Sequence, residues 1–208
     1  MSFELTQKEG EYLVTLARRA AKTYLTKRQI IQVPVDAPPK LKKQCGVFVT
    51  INTVQGKRHQ LRGCIGTPYP TAPLGKAVIE SAISSASQDP RFSSMSPDEL
   101  DHVVFEVSVL TPPEPVKVEK PRDYCSEIKV GRDGLIVERT YCKGLLLPQV
   151  PVELGWDEET FLCECCVKAG LPPDSWLLNG TKIYKFQAIV FEETAPKGSI
   201  LRREMSSK

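Results

Sequence analysis

The stretch LRGCIG, Leu61 to Gly66, sets a thiol between two glycines with a guanidinium two residues earlier. Those types at that spacing suit covalent or redox chemistry at Cys64. A thiol attacks as its thiolate, which forms where positive charge or a helix N-terminus stands near. Arg62 offers the charge, and a helix expected to begin near Thr71 offers amides if the loop folds back. Gly63 and Gly66, on either side of Cys64 and Ile65, let a ligand approach the backbone closely. The opposing reading is plain packing, because free cysteine often behaves as a small buried hydrophobe. Both readings stay open on residue pattern alone.

A cysteine nucleophile needs a base, and the chain has two histidines. His59 lies five residues before Cys64, an odd spacing that puts them on opposite faces of a regular strand. His102 begins a later strand and reads as a strand-end residue facing water. A protease-like triad therefore has little support. Two further motifs, Asp89-Pro-Arg-Phe and Leu147-Pro-Gln-Val, stand at equivalent places in the two halves of the chain. Asp89 and Arg91 can hold each other, or Arg91 can bind an anion. Gln149 can donate to a ligand or cap the turn that follows. The run CECC, Cys163 to Cys166, suggests metal, but a helix explains it better. Phe161, Leu162, Cys165, Cys166 and Ala169 share one apolar face, and no C-x-x-C partner completes a zinc shell. No metal or cofactor is expected. Nucleotide use is unsupported, since no phosphate-binding glycine loop is present.

The elements that must position these residues follow from periodicity. Thr6 with Glu9 is a capping-box signal, and Leu13, Leu16, Ala17, Ala20 and Tyr24 make the apolar stripe of a helix over Thr6 to Lys27. GVFVTIN from Gly46 reads as a strand with Val47, Val49 and Ile51 on one face. A turn at Gln55-Gly56-Lys57 leads into the strand that carries LRGCIG. Leu74 to Ser87 is apolar or small almost all round, a helix packed on several sides. Ser96 to Glu99 reads as a short capped turn. His102 to Leu110 alternates as a strand, with Glu106 and Ser108 opposite Phe105, Val107 and Val109. Four prolines in Thr111 to Pro121 mark a boundary. Hairpin strands around Arg132-Asp133-Gly134, a helix over Glu158 to Ala169 and a last strand over Ile183 to Phe191 complete the chain. A shift of 81 residues lays Gly63 on Gly144 and Phe105 on Phe186, so the halves look duplicated. The expected class is α+β: duplicated strand-helix-strand units form an antiparallel sheet flanked by helices, with a small second lobe.

The bulk numbers fit this reading. The chain has 208 residues, 41% hydrophobic and 25% charged, enough for a real core. Net charge is +3, too mild to imply nucleic acid. The cations from Arg18 to Lys43 read as a solvated helix face and loop. No apolar run spans a bilayer. Seven cysteines, an odd number, fit free thiols in a reducing, cytoplasmic setting.

GVFVT, LRGCIG, PLGKAV, DPRF, FEVSVLTPPEP, GRDGLIV, GLLLPQV, KAGLPPDSW and YKFQAIVFEE, in this order, resemble the AMMECR family. The resemblance covers roughly Gly10 to Glu193. It implies one domain over residues 1–195, made of two similar halves at about 44–111 and 124–193 with a small lobe; the polar residues 196–208 read as a mobile tail. It places LRGCIG near a cleft and singles out Leu61, Arg62, Gly63, Cys64, Ile65, Gly66, Asp89, Arg91, Pro148 and Gln149. The family has no established activity, and its substrate is unknown. Many relatives occur beside Memo-type and radical-SAM proteins, which the resemblance offers as partners. The rivals are an enzyme using Cys64 with Arg62, and a non-catalytic protein- or ligand-binding module.

Overall fold

The computed structural model describes residues 4–56 and 58–204. It is α+β, and its contacts divide it into two compact units: the chain up to Pro112 with Ile189–Arg203, and Pro113–Ala188.

The first unit begins with helix α1 (Gln7–Lys27). Its capping box is complete: Glu9 N–H donates to Thr6 Oγ1 at 3.3 Å, and Thr6 N–H donates to Glu9 Oε2 at 2.8 Å. Arg28 ends it in the left-handed conformation, its N–H returning to Tyr24 O at 2.9 Å. The stripe Leu13, Leu16, Ala17 and Ala20 is buried as its spacing requires. Strands β1 (Gly46–Gln55) and β2 (Arg58–Thr67) form an antiparallel hairpin. The turn expected there includes Lys57, which lies outside the described residues. Helix α2 (Leu74–Ser87) packs against α1 on one side and against β1 and β2 on another, which is why it is apolar almost all round. Its N-cap is Pro73, without a side-chain cap, rather than Thr71. A short 3-10 turn, Pro97–Asp101, carries the expected Ser96/Glu99 capping box. It leads into β3 (Val103–Leu110), which pairs with β1 so that Val47 meets Val109, Val49 meets Val107 and Ile51 meets Phe105. These six side chains are buried and build the core with the helices.

The second unit holds β4 (Glu114–Pro115), α3 (Tyr124–Glu127), β5 (Gly134–Arg139), β6 (Cys142–Leu146), α4 (Gln149–Leu154), α5 (Glu158–Lys168) and β7 (Lys182–Phe186). Its sheet runs β4-β7-β5-β6. Phe161, Leu162, Cys165 and Cys166 of α5 are fully buried in a separate core with Leu135, Val137, Trp176 and Ile183. The CECC run is therefore a helix face, and no group of three or more potential metal ligands occurs among the described residues.

The segment expected as one strand over Ile183 to Phe191 is two. β7 ends at Phe186, opposite Gly134, and β8 (Ala188–Glu193) joins the first sheet, whose order is β2-β1-β3-β8-β9. Strand β9 (Ile200–Arg202) pairs with β8. Residues 196–204, expected as mobile tail, thus include a paired strand. Arg203 is held by Glu106 at 3.1 Å, a partner that sequence distance concealed; residues 205–208 lie outside the described residues.

The duplication takes the form of two sheets rather than one. In each unit a hairpin and a third strand pair in the same order, β2-β1-β3 and β6-β5-β7. A helix end presses on the equivalent glycine: a Cβ on Gly63 would lie 2.1 Å from Ser85 O, and one on Gly144 would lie 2.6 Å from Cys165 O.

Candidate functional site

LRGCIG lies on β2, an edge strand. Its register against β1 slips between Ile51 and Asn52: Ile51 faces Gly63, and Asn52 faces Leu61. Arg62 is the extra residue, a β-bulge. The bulge re-aims its guanidinium. Nε and Nη2 donate to the Glu99 carboxylate at 2.7 and 3.2 Å, and Nη1 donates to Ser93 O at 2.9 Å. Arg62 in turn holds the Glu99 carboxyl below its ordinary value. The bulge also reverses the parity of the strand. His59 faces Val54, Cys64 faces Thr50, and Thr50 and Val54 share a face of β1. His59 and Cys64 therefore lie on the same face, contrary to the regular-strand expectation. Four residues of strand, about 13 Å, still separate them, and His59 is exposed. It is no base for the thiol.

The remaining residues of the motif are fastened to the end of α2 and to DPRF. Gly63 admits the backbone of Ser85, and Gly66 admits Val47 O, which a Cβ would approach to 2.1 Å. The Ser85 hydroxyl is inserted in the β1–β2 ladder: it accepts from Ile65 N–H at 2.8 Å and donates to Val49 O at 2.7 Å. Cys64 N–H donates to Asp89 Oδ2 at 2.8 Å, and Cys64 O accepts from Arg91 Nη2 at 3.2 Å. Asp89 and Arg91 are joined by two bonds, Nε to Oδ1 at 2.9 Å and Nη2 to Oδ2 at 2.6 Å. Two side chains thus occupy the places of a neighbouring strand's backbone and close the sheet edge. The Arg62 and Arg91 guanidinium carbons lie 5.8 and 5.5 Å from the Phe92 ring centroid.

The Cys64 thiol accepts from Thr50 Oγ1 at 3.3 Å. Burial is the largest influence and pushes the thiol up; Glu106 and Asp89 add to the rise, while the Thr50 bond and Arg91 oppose it. The cation whose field reaches the sulfur is Arg91, with Arg62 committed to Glu99. Gln149 belongs to the second unit as the first residue of α4, and its side chain is buried.

The sequence reading missed a polar row beside the thiol. Thr50 faces Cys64 on one side and Glu106 on the other. Glu106 accepts from Ser108 Oγ at a long 3.5 Å and from Arg203 Nη1 at 3.1 Å. Thr50, Glu106 and Ser108 are all buried. The alternation of Glu106 and Ser108 was visible, but a cross-strand row needs the register.

The Asp89–Arg91 pair has a measurable acid limb. Arg91 beside Asp89 holds that carboxyl down at about 2. The unfolded value is about 3.9. The pair therefore stabilises the fold fully above that value, by about 2 kcal/mol, and this contribution is lost as pH falls toward 2. Asp89→Asn is expected to lower stability by about that amount at pH 7 and to have little effect near pH 2. Urea unfolding at a series of pH values checks this; an unchanged acid slope in the variant would refute it.

A sequence model described as AMMECR1 matches residues 14–191. A protein of Thermofilum pendens is 53% identical over 96% of this chain and 96% of its own length. Protein MJ0810 of Methanocaldococcus jannaschii is 48% identical over 97% of this chain and 98% of its own. The crystal structure of the uncharacterized protein PH0010 from Pyrococcus horikoshii superposes with a TM-score of 0.93 at 54% identity, covering 97% of this chain and all of that one.

Proposed function

The chain belongs to the AMMECR1 family, and we propose that it acts there as a non-catalytic binding module. One observation carries the reading: the Cys64 thiol is half-buried and pushed up, its motif is bonded inward, and the cation whose field reaches it holds Asp89. A nucleophile needs the reverse, an accessible thiol pulled down by charge or a base. LRGCIG and DPRF then serve as a rigid frame, and Arg91, bonded to that frame yet 42% exposed, is a charge on it that solvent reaches. Memo-type and radical-SAM proteins, which the family resemblance offers, are the first partners to try. No helix among the described residues is long and apolar enough to cross a membrane. Seven unbridged cysteines support a reducing, cytoplasmic setting.

Site-resolved alkylation of the native protein across pH tests the reading. Cys64 is expected to react slowly and to titrate above the ordinary thiol value of about 8.5. Rapid labelling that titrates well below that value would overturn the binding reading in favour of an enzyme.

A further inference from the structure

The tip of the β5–β6 hairpin is Thr140 and Tyr141, with Arg139 facing Cys142 in the last pair. Thr140 has φ of 55°. Two-residue hairpins place Gly, Asn or Asp where φ is positive, and a β-branched residue there is strained. A turn shaped only for hairpin stability would carry glycine. Tyr141 is 100% exposed, so its ring gains nothing from the fold. The loop before β7 reaches the same end of the sheet. Arg139 Nη1 donates to Asn179 O at 2.8 Å and to Thr181 Oγ1 at 3.0 Å. That tie brings Leu178, 48% exposed, to the hairpin end. The charge at this end is positive on balance. Glu138 pairs with Lys143 on β6 and faces Lys182 on β7, both lysines exposed. Lys182 and Arg139, whose Nη1 the loop holds, leave two positive charges in excess.

We propose that this end of the second sheet is a docking surface for an acidic peptide segment of another protein. Tyr141 is its anchor, and Leu178 is the second apolar contact. A rigid aromatic with two side-chain torsions loses little entropy on binding and can bury a large area. The cations select carboxylates around the apolar contact and speed the encounter. The strained turn is the cost of holding that ring out. This inference rests on the reading of the chain as a binding module and gives it a surface and a partner chemistry.

The test pans the purified full chain with a phage library of random twelve-residue peptides, counter-selected on Tyr141→Ala. Recovered peptides should carry Asp and Glu around an apolar residue. They should bind the wild type at least tenfold more tightly than Tyr141→Ala or Lys182→Glu, and more weakly as salt rises. Tyr141→Ala is at a fully exposed position and should leave the melting temperature unchanged, whereas Lys182→Glu faces Glu138 and should lower it slightly. Thr140→Gly should raise it by relieving the strain; a fall would remove the argument from the turn. Peptides without acidic bias, or equal binding to Tyr141→Ala, would overturn the proposal. A concentration-dependent dimer dissolved by Tyr141→Ala would overturn it in favour of a second copy of this chain. A fast, acidic Cys64 thiol would sink the binding reading itself, whereas an empty selection with an inert thiol would remove only this surface.

Discussion

Replacing Arg18 with alanine is expected to lower the melting temperature by about 10 °C. Arg18 lies on the exposed-reading run of cations between Arg18 and Lys43, yet its side chain is only 14% exposed. Its Nε and Nη2 grip the Glu193 carboxylate at 2.6 and 2.5 Å. Nη1 donates to Leu100 O at 2.8 Å, and Nη2 donates to Val103 O at 2.7 Å. The guanidinium also lies 4.7 Å from the Phe105 ring centroid. Glu193 Oε2 accepts from Phe105 N–H at 2.9 Å, so the pair ties α1, β3 and β8 together. Removing Arg18 takes the cation from a buried carboxylate, which keeps only the Phe105 N–H named above, and takes one donor from each of two carbonyls. Breaking a buried pair in this way costs about 3–5 kcal/mol, and a chain of this size loses about 2–4 °C for each kcal/mol. Lysine lacks the planar fork, so Arg18→Lys should recover only part of the loss. The neighbouring Arg19 is exposed, and Arg19→Ala should stay within about 0.5 kcal/mol. Equal effects at both positions, read by thermal unfolding, would show that the clamp contributes nothing.

The second large effect is expected at Gly63. A methyl group there would lie 2.1 Å from Ser85 O and 3.0 Å from its carbonyl carbon. Both are helix backbone, which cannot rotate aside as a side chain can. The helix end must move, and with it the Ser85 hydroxyl between Ile65 and Val49 and the Asp89 carboxylate on Cys64. Overpacking of this kind costs about 1–3 kcal/mol, and more when a hydrogen-bonded network shifts with it. Gly63→Ala should therefore destabilise by about 3 kcal/mol in urea unfolding. Gly144→Ala should behave alike, since its Cβ would meet Ala169 N at 2.5 Å and Cys165 O at 2.6 Å. A mild effect at both positions would remove the packing explanation of the two glycines, and with it this physical argument for the repeat.

The Gly63 substitution separates architecture from chemistry in the LRGCIG segment. A residue set that reads as a nucleophile with its cation becomes a bulge, a helix seat and a capped edge. The same geometry explains why two expectations diverge. Arg62 keeps its charge but is turned toward Glu99, and His59 changes face without coming closer to the thiol. Both follow from one inserted residue in β2.

By itself, the amino-acid sequence determined the elements whose causes are local. The Thr6 capping box, the stripe of α1, the all-round apolar α2 and the CECC helix face all rest on side chains within one or two turns of each other. It also matched Gly63 with Gly144, each of which lies against the end of a helix. Only the tertiary structure decided what the polar side chains do. Arg18 meets Glu193 across 175 residues, Arg62 meets Glu99 across 37, and Cys64 meets Asp89 across 25. The division of Ile183 to Phe191 between two sheets was hidden for the same reason. Strand periodicity tells which face a residue takes, but the partner strand is set by register and topology, and one bulge reverses every face beyond it.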